Sequence, residues 1–226
     1  MKPQAALPQR KPARRMLRRL RRDRSGVSVI EFALVLPLFV TLGMYGAEIA
    51  WMNVAAMQAS QVAVALADNA SRIAQTDNTS VTPTISAADV NSVLTGALLE
   101  GSDIGIDQQG RVILSSVEVH PVTGKQYIHW QQCKGPVKKN SLLGNPDPTG
   151  LLNTAVSSGV KIGKATVKAP KDTAMIVAEV WFNYKGLFGD LFVQPFMMHE
   201  QAAVIVRDNR NTTVGLVGSP TSNSCS

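Results

Sequence analysis

Val27 to Ala47 is a run of 21 apolar-rich residues interrupted by Ser28, Glu31 and Thr41. About 20 mostly apolar residues are enough for a helix to cross a bilayer. This stretch therefore constrains the chain more than any other: it predicts a transmembrane helix over 27–48. The helix carries one carboxylate near its start, and an acid inside such a span costs about 2.5–3.5 kcal/mol on insertion scales. A retained acid of that kind is a candidate functional group. Pro37 removes a backbone donor and predicts a bend, which membrane helices tolerate better than soluble ones. Gly43 and Gly46 offer small surfaces to another helix. Glu48 and Trp51 mark the outer interface, where tryptophan is favoured and Glu48 is expected at headgroup level.

Charge is distributed to match. The chain of 226 residues has a formal net charge of +7. Residues 1–26 hold 10 Lys and Arg and one acid, Asp23, which leaves 13 basic and 15 acidic residues for the rest. The basicity belongs to the leader alone. Excess Lys and Arg beside a span stays cytoplasmic. Arginine-rich tails can bind nucleic acid, but here no aromatics are interleaved and an apolar run follows, so no nucleic-acid partner is expected. Arg21-Arg22 lacks the flanking pattern of a twin-arginine signal. The two cysteines, Cys133 and Cys225, are either a bridge formed in an oxidising compartment or two unrelated thiols.

No Pro or Gly separates the span from Ile49–Gln75, so one continuous helix of about 45–50 residues is predicted, roughly 70 Å long at 1.5 Å per residue. Val54, Met57, Gln61, Val64, Ala65 and Asp68 trace its helical spacing. A Thr-rich linker, 76–85, ends near Pro83. Ser86, with Asp89 three residues on, predicts an N-cap and a helix to about Leu99, ended by Gly101. Arg111–His120 and Lys125–Cys133 read as a hairpin. Residues 135–170 are loop-rich, with scattered lysines to Lys171 and one short helix over Leu151–Ser158. Ala174–Lys185 and Met197–Asp208 are further strands, and 209–226 is a polar tail. The class is α+β: a long N-terminal helix packed on a small antiparallel sheet of about four strands. The expected segments are a leader (1–26), a span (27–48), its helical extension (49–76) and a C-terminal domain (77–226).

No catalytic constellation emerges. His120, His129 and Cys133 match no usual zinc spacing, and no metal or other cofactor is expected. His199-Glu200 is not a H-E-x-x-H motif, because position 203 is alanine. Asn69, Asn78 and Asn211 head glycosylation sequons, which matter only in a secretory eukaryotic setting.

Gly26 followed by four residues and then Glu31-Phe32 resembles the processing site of type IV prepilin-like proteins. The run Glu31-Phe-Ala-Leu-Val-Leu-Pro-Leu38 is similar to the TadE-like pseudopilins, or minor pilins, of the tight-adherence (Flp) pilus apparatus. The stretch Val177–Phe188 also resembles that family's acidic-aromatic strand and the turn after it, with Gly186 where proline is frequent. The likeness is specific over 24–50, moderate over 174–190 and weak between. It implies a non-enzymatic protein of a bacterial inner membrane, N-terminus cytoplasmic and C-terminal domain periplasmic. It implies cleavage after Gly26 by a prepilin peptidase, leaving Val27 as the new N-terminus. Glu31 and Phe32 would serve peptidase recognition, or Glu31 would pair with the Val27 amine of a neighbouring subunit. Implied partners are the peptidase, other TadE- or TadF-like pseudopilins, the major Flp pilin and the inner-membrane assembly platform. The rival readings are an uncleaved single-pass protein with a periplasmic binding domain, and an enzyme anchored by an uncleaved signal.

Overall fold

The computed structural model describes residues 16, 17, 19, 21, 22, 26–73, 84–147, 149–152, 154–207, 211, 212, 215–218 and 225. Most of the basic leader, the linker to Pro83, the predicted helix end past 73 and the Asn78 sequon lie outside the described residues. The chain divides into two compact units, Met1–Ala47 and Glu48–Ser226. Helix α1 (Val27–Ser71, 45 residues) contributes to both. It is long and apolar enough to cross a membrane.

In the first unit, the side chains of α1 are almost all exposed, including Phe32, Leu34, Leu38, Phe39 and Leu42. The helix runs on through Pro37, and the hydroxyl of Thr41 donates to the Pro37 carbonyl at 2.8 Å. No neighbouring atom lies within 4 Å of where a Cβ would stand on Gly43 or Gly46.

The second unit is built on a four-stranded antiparallel sheet. Its strands are β1 (Gly110–Val119), β2 (Gln126–Lys134), β5 (Met175–Tyr184) and β6 (Phe196–Ile205), in the order β2-β1-β5-β6. On one face, Val112, Leu114, Trp130, Ile176, Ala178, Val180, Phe182 and Tyr184 meet α1 and α2 (Ala87–Glu100). From α1 come Ala55, Ala59, Val62, Ala63, Leu66, Ala67 and Ala70, and from α2 come Val90, Leu94 and Ala97. The buried stripe of α1 is thus mostly alanine. Of the residues that trace the predicted helical spacing, Met57, Val64 and Val54 stand elsewhere, 61%, 52% and 39% exposed. The small alanine side chains share their cluster with the larger residues of β5, among them Phe182 and Tyr184.

Ser86 caps α2 as expected. Its hydroxyl accepts the Asp89 N–H at 3.1 Å and donates to the Asp89 carboxylate at 2.6 Å, and Gly101 ends the helix. A bulge between Ser116 and Val117 in the β1–β2 register shifts β2 by one residue. Ile128 thereby joins the opposite face of the sheet, while Trp130 stays with the helices.

The opposite face is covered by the excursion between β2 and β5. Leu143, Val156, Val160 and Ala169 bury Val117, Ile128, Met175 and Val177. The short helix expected over Leu151–Ser158 is absent among the described residues, where turns stand instead. Asp147 organises that region by accepting from Thr149 and from the Leu152 N–H at 2.8 Å. The Thr149 hydroxyl, with these backbone donors, holds its carboxyl below the usual range. A two-stranded hairpin, β3 (Val160–Ile162) with β4 (Ala165–Val167), was not anticipated. Its strands are three residues each, too short for an alternating pattern to register.

The polar tail is not a free end. Val217 accepts the Ala87 N–H at 3.0 Å and donates to Ile85 at 2.9 Å. Cys225 is disulfide-bonded to Cys133 across 92 positions of sequence.

Candidate functional site

Two places gather the residues that bear on function. The first is the start of α1. Gly26 immediately precedes the helix, and its carbonyl accepts the Ile30 N–H at 3.1 Å. The Gly26–Val27 bond therefore lies at the helix N-terminus. No atom lies within 4 Å of the position a Cβ would take on Gly26, so the described chain itself gives no steric reason for glycine there. Val27 is 47% and Phe32 64% exposed, and Glu31 is exposed on the same helix.

The second place is Glu48. Its side chain is fully buried. One oxygen accepts the Tyr184 hydroxyl at 2.8 Å and the Leu187 N–H at 3.2 Å, and the other accepts the Phe188 N–H at 3.1 Å. A buried carboxylate is tolerable only when its oxygens are satisfied, and three converging donors do that here. The sequence places Glu48 at headgroup level, and the structure adds that its carboxylate is enclosed by protein donors. It is a latch that ties α1 to the end of β5 and to the connection leading into β6. Burial, then the hydrogen bond to Glu48, pushes the Tyr184 phenol up to about 12. Gly186 belongs to the latch as well. A Cβ at that position would sit 2.8 Å from Glu48 Oε1, so the carboxylate can approach only a residue without one.

The signal for Glu48 was in the sequence. Ala55, Ala59 and Val62 follow it at 7, 11 and 14 residues, the helical spacing of the buried stripe. That stripe is carried mostly by alanines, which weigh little in a hydrophobic pattern, so its phase did not stand out.

Glu179, in the middle of β5, is equally buried. It accepts from the Ser141 hydroxyl and from the Leu142 N–H at 2.9 Å, and His199 Nε2 lies 3.4 Å away. It pins the loop after β2 across the sheet. His199 in turn stacks on Trp181 at 3.9 Å, and Lys139 lies 5.3 Å over the Trp181 ring. The acidic-aromatic strand thus uses its acid and its aromatics for internal joints on both faces.

Glu118, Tyr127 and His129 form a third polar cluster. The Glu118 carboxylate lies 2.9 Å from His129 Nδ1, and accepts from Ser116 at 3.0 Å and from Tyr127 at 3.4 Å. Beside it a cleft of about 530 Å³ is lined by His120, Tyr127, Lys171 and Asp172 among others. His129 and Cys133 are not brought to a common site, since Cys133 is bonded to Cys225. Among the described residues, no group of three or more His, Cys, Asp or Glu side chains is placed to hold a metal ion.

No family model, curated protein or solved structure matches this chain.

Proposed function

We propose that this protein is a pseudopilin of the TadE-like kind: a membrane-anchored, non-enzymatic component of a pilus assembly machine, cut after Gly26 by a prepilin peptidase. One observation carries the reading. The sequence Gly26-x4-Glu31-Phe32 stands at the first residue of an uninterrupted 45-residue helix whose first half is apolar and exposed. A signal removed by an ordinary signal peptidase is cut after its apolar region. Here the apolar region continues as helix into the folded unit, so only a cut before it leaves the body anchored. The open space around Gly26 supports a glycine requirement imposed from outside, by an enzyme's cleft.

Cleavage would create an amine on Val27, four residues from Glu31. In a low-dielectric setting such an amine and the Glu31 carboxylate of a neighbour attract strongly, and either one alone is costly. That asymmetry would favour helix association in the membrane and set its register. The disulfide supports placing the second unit in an oxidising compartment, the periplasm in this reading. Other pseudopilins, the major pilin and the assembly platform are the partners the reading supplies.

The test is the N-terminal peptide of the protein from native membranes, read by mass spectrometry. The expected chain begins at Val27. A chain that still carries its leader would overturn the reading in favour of an uncleaved single-pass protein. Replacing Gly26 with a bulky residue should leave the precursor uncut. Glu31→Ala should still be cut if Glu31 serves assembly, and should block cutting if it serves the peptidase.

A further inference from the structure

We propose that the connection from β5 to β6, Gly186–Pro195 together with Phe196, is a second contact with the lipid bilayer, seated at its interface. The inference rests on the reading that the apolar part of α1 crosses a membrane. Leu187, Leu191 and Phe196 are 51%, 68% and 40% exposed. Three large apolar side chains thus stand in the open within ten residues, on a segment that turns Val193 onto the core of the second unit. The segment is not loose. Leu187 and Phe188 donate their N–H groups to Glu48, and Phe188 packs edge-on against Phe192 with ring centroids 5.9 Å apart.

Glu48 supplies the depth. It follows Ala47, the last residue of the apolar segment, so the connection is bonded to the chain position at which that segment ends. Tyr184, the last residue of β5, is bonded to the same carboxylate. Trp51, one helical turn further on, is half-buried at the same end, where it lines a small cavity with Phe182 and Lys185. Tryptophan and apolar side chains flanked by a lysine are what the headgroup boundary accepts. Lys185 is exposed at the flank of the segment, and Asp190 is exposed at its tip, a charge the headgroup layer can hydrate. Apolar side chains fixed at that level have lipid as the adjoining apolar phase.

Nitroxide labels on the full chain, reconstituted into phosphatidylcholine–phosphatidylglycerol vesicles without reduction of the native disulfide, test this. The positions are Leu191→Cys and Asp190→Cys on the segment. Phe39→Cys in the span and Val122→Cys, 87% exposed on the β1–β2 turn, are the references. Oxygen collides with a label in lipid and a water-soluble nickel chelate does not. The oxygen-to-nickel collision ratio at Leu191 is expected to exceed that at Val122 by about threefold or more, with Asp190 intermediate, as for a side chain at the headgroup–acyl boundary. A ratio at Leu191 equal to that at Val122, with Phe39 lipid-like, overturns the lipid contact and leaves the anchor standing. Low collision with both reagents at Leu191 marks a surface covered by protein and also overturns it. A water-like Phe39 overturns the anchor and the lipid contact together.

Discussion

Glu48 shows how one side chain can set the position of a whole connection. Its three donors come from the end of β5 and from the two peptide N–H groups at 187 and 188. Removing one donor leaves part of a buried charge unsatisfied. Tyr184→Phe is therefore expected to cost about 1–2 kcal/mol, measured by thermal unfolding in detergent. The same hydroxyl gives a pH signature. Burial raises Tyr184 to about 12, and burial with Glu118 raises Tyr127 to about 12, from an ordinary value near 10. The folded state then holds protons that the unfolded state has lost, so stability falls as pH rises. It should be intact below about pH 10 and decline between about pH 10 and about pH 12. Tyr184→Phe should lower the plateau and shrink that decline. A decline of unchanged depth in the variant would show that the phenol does not titrate against Glu48.

At the level of elements, the long helix, the α2 cap, both long hairpin strands and the four-stranded sheet could be read from periodicity and capping chemistry. The face of α1 could not. Alanine carries little weight in a hydrophobic pattern, yet Ala55, Ala59, Ala63, Ala67 and Ala70 are the residues against the sheet. What decides the face is the set of residues opposite, Phe182, Tyr184 and Ile176, more than 100 positions away in sequence. The joints made by Glu179 and Glu118 were unreadable for the same reason, because most of each carboxylate's partners lie on other elements. The packing makes a discriminating prediction. Ala63→Leu should destabilise by about 1–3 kcal/mol through overpacking. Met57→Ser, on the exposed face, should change stability by no more than about 0.5 kcal/mol. Equal effects in unfolding experiments would put the wrong face of α1 on the sheet.

For the molecule as a whole, the order in which the chain is tied together matters more than any single contact. The tail returns twice, through Val217 at the start of α2 and through Cys225 on β2, so the last residues close the unit that α1 opens. The pairing of Cys133 with Cys225 was one of two readings open to the sequence, because spacing says nothing about where a tail goes. The bridge closes a loop of 92 positions, for which the chain-entropy model gives about 4–5 kcal/mol. It also covers Ile113 and a flank of Trp181, so the pair is packed as well as bonded. The double variant Cys133→Ala/Cys225→Ala is expected to lose about 2–5 kcal/mol in unfolding experiments on the detergent-solubilised chain. The start of α1 makes no use of that bridge. On the processing proposed above, the same variant should therefore be cut after Gly26 like the parent chain, seen as an N-terminal peptide beginning at Val27. Loss of processing together with loss of stability would mean that the proposed cleavage depends on the folded second unit, and not on the helix junction alone.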